Sequence, residues 1–155
     1  MQRHDCGSCT LCCHLTEVPE IAKPVYHWCE FCKPGSGCTV YDMRPQSCRS
    51  FQCHWLKSDM DDELRPDKCG VLIEDLSQHS LFLALVEQGR PDAWKEPALR
   101  QVFSSLSEQG FAVVVSVEGG QRQFVLVPHG KTESEVVAAI RQAKEAIHGF
   151  PSIYN

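Results

Sequence analysis

The chain has 155 residues, including 10 cysteines, and carries a formal net charge of −5 with a pI near 5.8. That length allows one domain or two small lobes. An acidic chain without a basic run excludes the Lys and Arg clusters on which phosphate-backbone binding rests, so no nucleic-acid partner is expected. No apolar run is long enough to span a bilayer, so no membrane partner is expected either.

The opening residues, Met1 to Asp5, are polar, and no apolar run of signal-peptide length follows. The only asparagine is Asn155, which leaves no N-glycosylation sequon. These features predict a cytoplasmic protein whose thiols stay reduced. A secreted disulfide scaffold is the competing reading.

Nine of the ten cysteines fall early: Cys6, Cys9, Cys12, Cys13, Cys29, Cys32, Cys38, Cys48 and Cys53. The tenth, Cys69, follows soon after. Cys-x-x-Cys spacing occurs at Cys6/Cys9, Cys9/Cys12 and Cys29/Cys32. That spacing lets two thiolates converge on one ion at about 2.3 Å, whereas it strains most disulfides. Gly7 and the turn from Pro34 to Gly37 supply the backbone freedom such knuckles need. All nine early cysteines are therefore candidate metal ligands.

Cys6, Cys9 and Cys12 also match the start of a ferredoxin-type [4Fe–4S] ligand run, although no fourth Cys-Pro follows. Adjacent Cys12 and Cys13 project differently and suit two centres, or one ligand and one buried spare. His14, His27 and His54 each neighbour a cysteine, as replacement ligands or as supporting and surface residues. Pro19 and Pro24 predict an extended connection. Thr39 to Tyr41 reads as a short strand, and Asp42 to Cys48 as a helix opening with Pro45 at its first turn. Arg44 and Arg49 flank Cys48, where they would offset the charge of a thiolate centre or remain ordinary surface groups. The acidic run from Ser58 to Glu63 reads as a solvated surface or helix start.

The combined pattern is specific. It runs Cys6-x₂-Cys9-x₂-Cys12-Cys13, Cys29-x₂-Cys32, Gly37-Cys38-Thr39-Val40-Tyr41, then Arg44-Pro45-x₂-Cys48-Arg49-x-Phe51-x-Cys53. It resembles the CxxCxxCC cysteine-cluster family, the YkgJ type, described as zinc- or iron-chelating. Similar cysteine sets occur in flagellin lysine methylases. The resemblance covers residues 5–70 and implies metal chelation without naming a reaction.

Residues 1–69 hold 17 large apolar residues and residues 70–155 hold 30, so the first stretch is short of core and needs a staple. The expected organisation is a metal-chelating lobe over 1–70 and an α+β lobe over 71–155. In the second, Val71 to Ile73 and Leu81 to Val86 read as buried strands. A helix starts near Glu96, with Leu99, Val102, Phe103 and Leu106 on one face, and Gly110 ends it. Phe111, Val113, Val115 and Val117 alternate along a third strand. Gly119-Gly120 turns the chain into a return strand from Phe124 to Val127. Thr132 and Glu135 form a capping box for a last helix with Val136, Ile140, Ala143 and Ile147 inward, ended by Gly149 and Pro151. The expected fold is ββαββα, an antiparallel sheet with both helices on one face. Gly130-Lys131-Thr132 is no P-loop, because position 125 is Val where that motif needs glycine.

Three functions follow. One is a metal-chelating protein that binds an iron–sulfur cluster, [4Fe–4S] included, and/or Zn²⁺ through its clustered cysteines. Another is an iron–sulfur enzyme or electron carrier. The last is a thiol redox protein, which lacks the βαβ context of a thioredoxin-like fold. The partner expected is the metal ion or cluster, with a protein partner on the C-terminal lobe as a further option.

Overall fold

Unbroken apolar runs such as Leu81 to Val86 need cover on both faces of a sheet, and that requirement sets the architecture. The computed structural model describes residues 4–146 and is α+β. Its main sheet has four strands in the order β3 (Val71–Leu76), β4 (Leu81–Val86), β5 (Ala112–Val117) and β6 (Arg122–Leu126). Helix α5 (Pro97–Glu108) links β4 to β5, and α6 (Glu133–Ala146) follows β6.

Two expectations are corrected. The sheet is mixed: β3/β4 and β5/β6 pair antiparallel, but β4 and β5 run parallel, with Leu83 opposite Val114. The reason is α5, a helical crossover that returns the chain to the same end of the sheet. The helices also lie on opposite faces. Leu99, Phe103 and Leu106 of α5 pack on Val71, Ile73, Phe82, Ala84, Val113 and Val115. Val136, Ile140 and Ala143 of α6 join the other cluster, with Leu72, Leu76, Leu81, Leu83, Leu85 and Val114. Successive residues of β4 feed both clusters, so a single helical layer would leave half of them wet. Every residue of β4 and β5 is buried.

Local signals place the ends of these elements. Gly110 sits at φ +89° just past α5. The Thr132 and Glu135 capping box closes in both directions: the Thr132 amide donates to Glu135 Oε2 at 2.7 Å, and the Glu135 amide to Thr132 Oγ1 at 3.3 Å. Ile147, Gly149 and Pro151 lie outside the described residues.

The cysteine-rich stretch is built from short pieces. They are α1 (Leu11–Leu15), the two-residue strands β1 (Cys32–Lys33) and β2 (Gly37–Cys38), α2 (Gln46–Ser50), α3 (His54–Lys57) and α4 (Pro66–Cys69). Thr39 to Tyr41 is not the strand expected. The strand lies just before it, and Tyr41–Met43 is a 3₁₀ turn, because Cys38 must pair with Cys32 across the glycine-rich loop. Leu11, Leu15, Tyr26, Trp55 and Leu56 join the α6-side cluster. The core therefore crosses residue 70. Tyr26 pins the stretch down, its hydroxyl donating to Ser116 Oγ at 2.8 Å on β5.

Candidate metal centre

The knuckles form as turns. The Cys9 amide donates to the Cys6 carbonyl at 2.9 Å, and Cys32 to Cys29 at 3.1 Å. The Cys29 amide donates to the Cys13 carbonyl at 3.0 Å, which ties the second knuckle to α1. Cys32 and Cys38 face each other across β1 and β2. Gly35 and Gly37, at φ +75° and +143°, make that reversal.

These pieces enclose a cavity of about 720 Å³. Cys6, Cys9, Cys12, Cys13, Cys29, Cys38, Cys48 and Cys53 line it, and Leu72, Leu83 and Leu85 of the sheet supply an apolar side. Cys32 stands beside the cavity in hydrogen-bond contact with Cys13, which also contacts Cys12. Cys29 lies within electrostatic reach of Cys32 and Cys48, and Cys13 within reach of Cys48. Cys9, Cys53 and Cys6 form a second group, joined to the first because Cys6 also lies within electrostatic reach of Cys13, and the Cys9 thiol donates to the Asp67 carboxylate. Among the described residues, no three His, Cys, Asp or Glu side chains stand at mutual metal-binding spacing.

All ten cysteines are free thiols. The Cys13 thiol is pushed up by its contact with Cys12 and then by burial. Burial pushes Cys32 to about 12 and Cys9 to about 11, and raises Cys6, Cys48 and Cys53 as well. Thiols crowded in this way favour ionisation once a cation stands among them. In chemistry the donor set suits a thiophilic ion or cluster, and closing on one would require the thiols to draw together from their present spacing.

Cys69 belongs elsewhere. It packs on the α5-side core, and its thiol donates to the carbonyls of Leu64 and Val71 at 3.4 Å each. None of the three histidines beside cysteines lines the cavity. His14 is buried and stacked on Trp28 at 4.5 Å, His27 Nδ1 meets the Val25 carbonyl at 2.8 Å, and His54 lies edge-on to Phe82 at 5.0 Å. Nδ1 of His14 and of His54 is buried without a hydrogen-bond partner among the described residues.

The arginines divide. Arg49 donates to the carbonyls of Arg44 and Asp42, at 2.9 and 3.1 Å, and braces the loop before α2. Arg44 stacks on Tyr41 at 3.7 Å and lowers the cost of charge at Cys6. Arg65, unnoticed in the sequence, clasps the first knuckle: it grips Asp67 at 2.6 and 2.7 Å and reaches Ser8 Oγ at 3.3 Å.

Three further side chains had no sequence signal. Glu74, on β3, and Glu17 line the cavity, and Glu17 Oε2 is buried without a hydrogen-bond partner among the described residues. Lys23 is 6% exposed. Its ammonium donates to the carbonyls of His14 (3.3 Å), Thr16 and Pro24 (3.0 Å). It lies within electrostatic reach of Cys29, Cys13, Cys12 and Cys48. Only its isolation between acidic and apolar neighbours could have marked it.

Comparison with protein-family models, with curated proteins and with solved structures finds no match.

Proposed function

We propose that this protein chelates metal, and that the cavity thiols hold Zn²⁺ or an iron–sulfur cluster. The observation that carries this reading is the gathering of eight cysteines from separate stretches of chain around one cavity, with Cys32 touching Cys13 beside it. Cys6 couples the group of Cys12, Cys13, Cys29, Cys32, Cys38 and Cys48 to that of Cys9 and Cys53, and these nine thiols supply enough donors for two four-thiolate centres. Each ligand binds as thiolate, so loading releases protons and its free energy adds to folding. Bound metal would supply the staple that this core-poor stretch requires. The same cysteine pattern supports placing the chain with the CxxCxxCC type, and ten free thiols suit a reducing compartment. Redox exchange is less well supported, because a reactive thiol needs a lowered pKa and an electropositive, accessible setting. Here burial acts the other way at Cys6, Cys9, Cys32, Cys48 and Cys53.

Anaerobic purification followed by zinc, iron and sulfide analysis tests the reading. Stoichiometric zinc in a colourless protein, or iron and sulfide in a brown one, supports it. Cys13→Ser and Cys32→Ser should then lose metal, while Cys69→Ser keeps it. A thiol-reduced protein that takes up neither metal overturns it.

A further inference from the structure

We infer that Lys23 is the built-in counter-charge of the thiolate centre, placed to stabilise bound metal and to hold the helix that carries Cys12 and Cys13. The inference rests on the chelation reading above. Burying an ammonium is costly unless its donors are paired, and Lys23 has three N–H groups. Each finds a carbonyl: those of His14, Thr16 and Pro24. His14 lies in the last turn of α1 and Thr16 just beyond it, where helix carbonyls lack partners within the helix. Lys23 therefore ties off the helix immediately after Cys12 and Cys13.

The backbone aims the side chain there. Val18 and Lys23 form a bridge, with both of their N–H···O bonds made, at 2.9 and 3.1 Å. Between them Ala22 turns in the left-handed region at φ +51°. The surrounding carbonyls are neutral, so they leave the ammonium's charge uncancelled at the end of the short helix that carries Cys12 and Cys13. Four thiolates around a divalent ion carry a net charge of −2, and a fixed cation in a poorly solvated site halves it. Arg49 does not serve this purpose, since its side chain is exposed and its charge is screened by water. Arg44 acts on the other group, at Cys6.

Three variants separate charge from hydrogen bonding. Lys23→Gln keeps N–H donors and removes the charge, Lys23→Arg keeps the charge, and Lys23→Met removes both. Zinc affinity is measured by competition with a chromophoric chelator, alongside circular dichroism of the metal-free proteins. Loss of a group that supports a metal ligand typically weakens affinity about 10–100-fold. That loss is expected for Gln and Met, while Arg stays within about threefold of the parent chain. The Gln deficit should persist at high salt, because buried charges are weakly screened. A folded Lys23→Gln protein that binds zinc like the parent overturns the inference and leaves chelation standing, as does a deficit that salt abolishes. If Lys23→Met does not fold, the Gln and Arg pair still decides. Failure of the parent chain to bind zinc or iron removes both claims.

Discussion

The cysteine-rich stretch and the sheet share the α6-side core but differ in how much of themselves they bury. Between Val71 and Ala146 the chain forms strands and helices long enough to bury continuous apolar faces, and β4 and β5 are wholly enclosed. Among the described residues before residue 70 no helix exceeds five residues, and Thr10, His14 and Lys23 are buried polar groups. Leu11, Leu15, Tyr26, Trp55 and Leu56 are given to the sheet's core, and the thiols are left lining the space between. One region keeps its shape by burial. The other is attached by burial and leaves its interior to sulfur.

The sharpest way to break this contrast is to strip metal from the loaded protein. Structural zinc contributes apparent free energies of about 10–16 kcal/mol in small domains. Chelation is expected to erase amide-exchange protection over residues 6–57 and to leave it largely intact in β3 to β6. Equal loss in both regions would show that one force holds the whole molecule.

Next in size is a cavity in the shared core. Leu81 is fully buried, and Leu81→Ala should cost about 2–5 kcal/mol by urea denaturation, with metal stoichiometry unchanged. A smaller effect is expected where the two regions are pinned. Tyr26→Phe strands the buried Ser116 hydroxyl and should cost about 1–3 kcal/mol. If the hydroxyl is the pin, exchange should quicken around Leu15 and Tyr26 before it does in β5.

The smallest effect concerns pH. Burial pushes the Glu74 carboxyl above its ordinary value of 4.5, against the pull of Lys57. The folded protein then holds that proton more tightly than the unfolded chain. Its contribution is complete below the unfolded pKa and is lost as pH rises through the folded one. Glu74→Gln should therefore gain stability over the parent at about pH 7 and show no gain at about pH 4. A gain at both values would mean that the carboxyl is not the group responsible.

Much of the second half was legible because its signals are local. Val113, Val115 and Val117 alternate, Leu99, Phe103 and Leu106 recur at helical spacing, and Thr132 with Glu135 closes a cap, each within one element. The cysteine turns were equally legible, since Cys6/Cys9 and Cys29/Cys32 need only a few residues to form. Cys69 shows the limit. The sequence sets it apart from the nine early cysteines, but only the fold shows where the chain carries it, against the α5-side core.

Residue order alone settled the strand and helix periods, the caps, and the supply of thiols, because each depends on neighbours within a few positions. Tertiary packing decided that β4 and β5 run parallel, that α5 and α6 take opposite faces, and that Lys23 rather than Arg49 stands buried, at the end of the helix that carries Cys12 and Cys13. Those outcomes depend on which surfaces must be covered at once and on which carbonyls converge in space, and neither is written in any short window of chain.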